Sequence, residues 1–201
     1  MKHKKFDTRQ MVTTAMLCAI LLMMSFTPLG YLNIGPLAIS FNMIPVAIGA
    51  IALGPVGGMI LGGMFGMTSF LQCLGIGGTS AMGVILFEVS PLLAFIQRFV
   101  PRLVAGWLSG LIYQGVKKIS NTDVACFATG FSAALLNTVL FMSALVLLFG
   151  NTEYVQTLMG GKNVLTFVCT FVGINAVVEM AAASVIVGVV GKVLSKFLVR
   201  R

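Results

Sequence analysis

The sequence predicts an all-α integral membrane protein, and three observations carry that expectation. Of 201 residues, 58% are hydrophobic and only 9% charged, against about 25% charged in average soluble chains. Mean hydropathy is +1.04, and so apolar a chain has too few polar side chains to cover a globule in water. Basic residues, second, gather at the ends of apolar runs: Lys2, Lys4, Lys5 and Arg9; Lys117 and Lys118; Lys192, Lys196, Arg200 and Arg201. That is the pattern of cytoplasmic helix ends, so the net charge of +8 does not point to nucleic acid. Third, glycine recurs at 54, 58, 62 and 66, with Gly57 and Gly63 beside it. Glycine in a water-exposed helix costs about 1 kcal/mol relative to alanine. In lipid an unpaired peptide group costs several kcal/mol, which holds such a helix together, and small residues four apart let another backbone lie close.

The elements follow in order. Helix 1 is expected from about Thr8 to Met24, ended by Thr27-Pro28-Leu29-Gly30. The start fits a signal peptide superficially, but no small-residue cleavage site in a polar context follows, so it reads as a retained helix. Residues 31–42, "YLNIGPLAISFN", are irregular. Helix 2 covers roughly Phe41 to Leu53, and Gly54-Pro55 makes a tight turn, because proline suits a first helical turn and disfavours helix just before it. Helix 3, the glycine ridge, runs to about Gln72, and the loop "CLGIGGTSAMG" (73–83) follows. Residues 84–99 are interrupted by Glu88, Pro91 and Arg98, and read as a short helical or re-entrant outer segment. Helix 4 starts near Pro101 and ends at Lys117-Lys118; helix 5 spans about Ala125 to Phe149; a polar loop leads to helix 6, about Val164 to Leu194.

Charge sets the helix count. If both termini and Lys117-Lys118 face the cytoplasm, an even number of crossings separates them. Six transmembrane helices, four before Lys117 and two after, satisfy this in one transmembrane domain over residues 1–201. The bulky irregular connections, 25–41, 73–100 and 150–163, then lie outside, which suggests a pocket open to the exterior. Helices 1 and 2 are short, at about 24 Å for about 16 residues against the ~30 Å hydrocarbon core.

Chemistry narrows next. Cys18, Cys73, Cys126 and Cys169 show no metal-ligand or redox spacing and read as small buried hydrophobes. The single histidine, His3, sits in a charged tail, which argues against most histidine catalysis and zinc chemistry. No enzyme activity, metal or cofactor is expected. "GGKN" at 160–163 lacks the leading glycine and the hydroxyl of a phosphate-binding loop. Polar residues at membrane depth are default functional candidates. Asn175 and Glu179 lie four apart, on one helix face. Arg98 and Arg102 repeat that spacing, and their forked guanidinium groups suit a carboxylate or phosphate. With Asn33 and Asn42 from the irregular loop and Asn137 from helix 5, these give the expected ligand set: Asn33, Asn42, Arg98, Arg102, Asn137 and Asn175. Each has a plainer reading as well. Arg98 could reach lipid headgroups, Arg102 could pair with Glu88 or Glu179, and Asn137 could join helices.

The ordered features together resemble the substrate-binding S component of energy-coupling factor (ECF) vitamin transporters, over nearly the whole chain. The residues that carry the resemblance are Ala15-x-x-x-Ala19 after a basic start, "FNMIPVAIGAIALGPVGGMILGGMFGMTSF" (41–70), "VPRLVAGWLSGLIYQGVKK" (100–118) and "NAVVEM" (175–180). The resemblance implies a bacterial plasma-membrane protein that binds a water-soluble vitamin outside the cell. Its implied partners are a coupling transmembrane protein and two cytosolic ATPases, and it assigns Ala15 and Ala19 to the surface docking on the coupling protein. Asn137 followed by "TVLFMSALVLLFG" leans towards the pantothenate-type branch. Riboflavin, folate and pyridoxine-type substrates stay open, with Trp107 and Tyr31 as stacking surface for a ring. A standalone carrier and a structural membrane subunit are the competing readings.

Overall fold

The structure, a computed structural model, describes residues 8–27, 30–33, 38–77, 80–161 and 163–199. The basic residues at 2–5 and 200–201, His3 and Gly35-Pro36 lie outside them. Helices carry the fold: α1 (Thr8–Phe26), α2 (Met43–Leu71), α3 (Ala81–Val89), α4 (Pro91–Ile119), α5 (Thr122–Phe149), α6 (Glu153–Met159) and α7 (Val164–Val199). Between α1 and α2 a small antiparallel hairpin pairs β1 (Tyr31–Asn33) with β2 (Ala38–Ser40), Tyr31 opposite Ser40 and Asn33 opposite Ala38. By length and composition, four stretches could cross a membrane: Thr8–Phe26, Met43–Leu74, Thr122–Phe149 and Asn175–Leu194.

The expected turn at Gly54-Pro55 is a reversal within α2. Gly54 takes φ 76° and ψ −166°, a backbone open to glycine because it has no Cβ. Two approaches prove the fold-back. A Cβ on Gly58 would come 2.9 Å from the Ala50 Cβ, and one on Gly49 would meet the Leu61 side chain. Residues eight and twelve apart in a straight helix are separated by about 12 and 18 Å. Residues 43–53 and 55–71 are therefore two arms of a helical hairpin.

The glycine ridge on the second arm packs inside the molecule, against α4. Gly58 faces Gly106, Gly62 faces the Arg102 carbonyl, and a Cβ on Gly66 would sit 2.8 Å from the Phe99 Cα. As positions rise along α2 they fall along α4, so the helices run antiparallel with backbones nearly touching. A Gly62→Ala chain would need α4 to shift where a Cβ comes 3.1 Å from the Arg102 carbonyl carbon. Overpacking of this kind costs about 1–3 kcal/mol. We expect a lower melting temperature in detergent and weaker ligand binding, because the displaced residue, Arg102, belongs to the expected ligand set. Wild-type stability and affinity in Gly62→Ala would show that α4 is not held at this ridge.

One boundary differs from the sequence expectation. Residues 84–99 are not a single separate segment: α3 ends at Val89, and α4 already begins at Pro91. Ser90 is extended (φ −163°, ψ 110°), and Pro91 occupies the first turn of α4, where its missing N–H is no loss. The helix-breaking proline of the sequence is a helix starter, and Pro101, expected as the start, lies inside α4. The loop after α5 also holds the short helix α6, and α7 continues past Leu194 to Val199.

The apolar core has two parts. One cluster joins Leu17, Met43, Val46, Leu61, Phe65, Ala105, Tyr113, Cys126, Ala133 and Val187. The other joins Met82, Leu86, Ala94, Met142, Leu145, Phe149 and Val155. On α4 the buried members of the second cluster end at Ala94 and those of the first begin at Ala105; on α5 those of the first end at Ala134 and those of the second begin at Met142. The buried side chains between them are Gln97, Arg98, Pro101 and Arg102 on α4 and Asn137 on α5, and they form the candidate site.

Candidate ligand-binding site

α4 buries the face formed by Ala94, Gln97, Arg98, Pro101, Arg102 and Ala105, which puts two arginines one turn apart at the level between the clusters. Both guanidinium groups are buried, each residue only 6% exposed, so neither reaches headgroups. Arg102 Nη1 donates to the Arg98 carbonyl oxygen at 2.7 Å. Its guanidinium lies between two rings, 4.5 Å from the Phe65 centroid and 4.8 Å from that of Phe141. Arg98 shares Phe141, at 5.3 Å. Arg98 also donates to Ser69 Oγ at 3.4 Å and to Ser80 Oγ at 3.3 Å, both long for such bonds. Gly83 makes the room, since a Cβ there would lie 3.0 Å from Arg98 Nη2.

These partners leave the charges short of compensation. A guanidinium has five N–H donors, and the Nε of both arginines is buried without a hydrogen-bond partner. Neither arginine forms an ion pair among the described residues, where the one salt bridge joins Lys192 and Asp123. Glu88 is exposed at the end of α3. Glu179 is buried, and its carboxylate accepts from the Ser40 backbone N–H at 2.6 Å, tying α7 to β2. Aromatic faces attract a cation by about 0.5–2 kcal/mol, far less than the several kcal/mol of burying it.

The neighbouring amides are equally open. Asn42, at the start of α2, is fully buried with neither Oδ1 nor Nδ2 partnered, and it makes no capping bond. Asn137 on α5 is 7% exposed with Oδ1 unpartnered. Tyr31 Oη and Ser40 Oγ on the hairpin are buried and unpartnered as well. Nearly all buried polar groups in folded proteins find a partner, so this concentration marks a place built for a ligand or ordered water.

The structure thus puts Asn42, Arg98, Arg102 and Asn137 into one polar layer. Asn175 is half-buried on α7, one turn from Glu179. Asn33 is in β1 opposite Ala38; its side chain lies outside the described residues. Trp107 is 42% exposed, away from the buried face of α4, so it offers no stacking surface to this layer. Sequence reasoning missed Gln97, Phe65, Phe141 and Ser40. A buried glutamine in the apolar run "LLAFIQRF" was the legible signal; the aromatic residues had none, because rings are abundant in the chain.

A separate apolar groove of about 430 Å³ lies on the flank of α1, α2 and α4, lined by Cys18, Met59, Met64, Phe99 and Leu103 among others. It has no charged group to hold an anion. Beside it, α1 buries only Leu17, Leu21 and Ser25. Ala15 and Ala19 are exposed on its outward side with Met16, Ile20 and Met23.

Residues 9–191 match the family model described as ECF transporter, substrate-specific component. The chain belongs to this family. It is a substrate-binding component of an uptake system, an S component. Two relatives are similar over most of their length. One, named pantothenate transporter PanT, from Leuconostoc mesenteroides, is 29% identical over 198 residues, covering 93% of this chain and 92% of the relative. The other, named pantothenic acid transporter PanT, from Lactococcus lactis, is 26% identical over 160 residues, covering 74% of this chain and 78% of the relative. In this S component the polar layer between α2, α4, α5 and the hairpin is the one concentration of unpartnered buried polar groups among the described residues.

Proposed function

We propose that this S component captures pantothenate from outside a bacterial cell and passes it inward together with a coupling transmembrane protein and two cytosolic ATPases. One observation carries the ligand: two arginines are buried here, and Glu179 is the one buried carboxylate among the described residues. With all three ionised the layer holds one uncompensated positive charge, which a monoanion neutralises in a low-dielectric setting where an unpaired charge is costly. Pantothenate is such a monoanion, and the two relatives carry its name. The ligand-contacting set is Asn33, Asn42, Arg98, Arg102, Asn137 and Asn175.

The orientation reading is six crossings, taking the two arms of α2 separately and α4 as one. Two arguments support it. The Lys192–Asp123 pair and Lys117-Lys118 gather at the end where Gly54 approaches Gln114 and Gly191 approaches Ile51. α1 ends at the opposite side, where Ser25 meets Thr68 at 3.2 Å, so its start returns to the basic end. Positive residues belong in the cytoplasm. In intact cells a membrane-impermeant thiol reagent should leave a cysteine introduced at Ser120 unlabelled; labelling there reverses the orientation.

Calorimetry tests the ligand. The purified chain, without ATPases, should bind pantothenate with nanomolar affinity and bind riboflavin, folate and pyridoxine far more weakly. Tight binding of one of the others replaces pantothenate. Binding of none favours a structural subunit.

A further inference from the structure

Two polar side chains on the buried face of α4, Gln97 and Ser109, enter neither the charge argument nor the expected ligand set, and Ser109 is spent on the Ala105 carbonyl. Gln97 is fully buried, and neither Nε2 nor Oε1 has a hydrogen-bond partner. A glutamine that serves only to join helices would spend its amide on a neighbour, and this one does not. Pro101, four residues on, has no N–H to give the Gln97 carbonyl. Gln97 lies between Ala94 of one apolar cluster and Ala105 of the other, at the depth of Arg98 and Arg102.

The unpartnered atoms are of two kinds, and one ligand group cannot serve both. The arginine Nε atoms are donors, which a carboxylate accepts. Asn42 Oδ1, Gln97 Oε1 and Asn137 Oδ1 are acceptors, and a carboxylate offers them nothing. A ligand that fills the layer therefore carries N–H or O–H donors apart from its anionic group. Gln97 has an orphan donor and an orphan acceptor on one carboxamide. A trans secondary amide points its N–H and C=O in opposite directions and cannot meet both, whereas hydroxyl groups both donate and accept.

We infer that Gln97 is a specificity-determining residue that reads the hydroxyl-bearing end of a two-ended ligand whose carboxylate lies at Arg98 and Arg102. This rests on the pantothenate reading. Pantothenate supplies three donors, two hydroxyls and one amide N–H, to the three orphan amide oxygens.

The test is calorimetry on the full-length chain with three ligands. These are pantothenate, the alcohol analogue in which a hydroxymethyl replaces the carboxylate, and a dideoxy analogue that keeps the carboxylate and amide but lacks both hydroxyls. Gln97→Leu should bind pantothenate and the alcohol analogue about tenfold or more weakly than wild type. It should bind the dideoxy analogue within about threefold of wild type, so discrimination between pantothenate and the dideoxy compound collapses. An equal loss for all three ligands overturns the inference and makes Gln97 structural. Wild-type affinity for pantothenate also overturns it and assigns the amide to ordered water. If Gln97→Leu fails to fold, Gln97→Met is held to the same comparison, and failure of both to fold makes Gln97 structural. Wild-type chain binding none of the three overturns the pantothenate reading, and this inference with it.

Discussion

Arg102→Ala should weaken pantothenate binding by about 1.5–3 kcal/mol, roughly ten- to 150-fold. The reason is geometric as well as electrostatic. The guanidinium is fixed between Phe65 and Phe141, with Nη1 committed to the Arg98 carbonyl and Nε unpartnered. A ligand carboxylate meets a donor already oriented and desolvated, so little ordering entropy is lost on binding. Arg102→Lys should recover only part of the affinity, because lysine keeps the charge but not the planar fork. The alcohol analogue gives a control: its binding should change far less, since it brings no anion. Wild-type affinity in both Arg102→Ala and Arg98→Ala would remove the anion site and reopen a neutral ring-bearing vitamin as ligand.

Replacing Ala15 or Ala19 with tryptophan should abolish uptake in cells that carry the complete importer while the isolated chain keeps its affinity for pantothenate. Both alanines are exposed on α1 while Leu17, Leu21 and Ser25 face the bundle, so a larger side chain meets no neighbour within the chain. It meets only what docks there. Two small residues four apart leave a shallow strip where a foreign helix can pack closely, and a bulky ring holds that helix away. Intramolecular packing, the competing reading of the pair, is at odds with their exposure. Loss of binding together with uptake would return the alanines to the fold; unimpaired uptake would move the docking surface elsewhere.

These two experiments read different ends of the path from sequence to function. The first reads the proposed ligand layer between the two apolar clusters, and the second the proposed docking face on the outside of α1. Between them runs a buried link. Gln72 Nε2 donates to the Ser25 carbonyl at 2.7 Å, and Ser25 meets Thr68. One residue on, Ser69 receives the Arg98 guanidinium. The end of α1 and the buried arginine Arg98 thus both contact the end of α2.

The sequence by itself determined the membrane class, the glycine ridge, the reversal at Gly54-Pro55 and four members of the polar layer: Asn42, Arg98, Arg102 and Asn137. Each is legible because its physics is local or compositional. Hydropathy is a sum over neighbours, a Gly-Pro step restricts its own dihedrals, and an arginine in an apolar run is costly wherever the run folds. The tertiary structure alone decided that Pro91 starts α4 and Pro101 does not, since a proline reads the same at the first turn of a helix as in an interruption. It also decided that the ridge packs against α4, that Trp107 faces outward, and that Gln97 is an orphan. The reason is the same for all of these. Whether a polar atom finds a partner, or a ring faces a cation, depends on side chains brought together from α2, α4, α5 and the hairpin. Their sequence separations of tens of residues leave no local trace, and only the folded chain sets their distances.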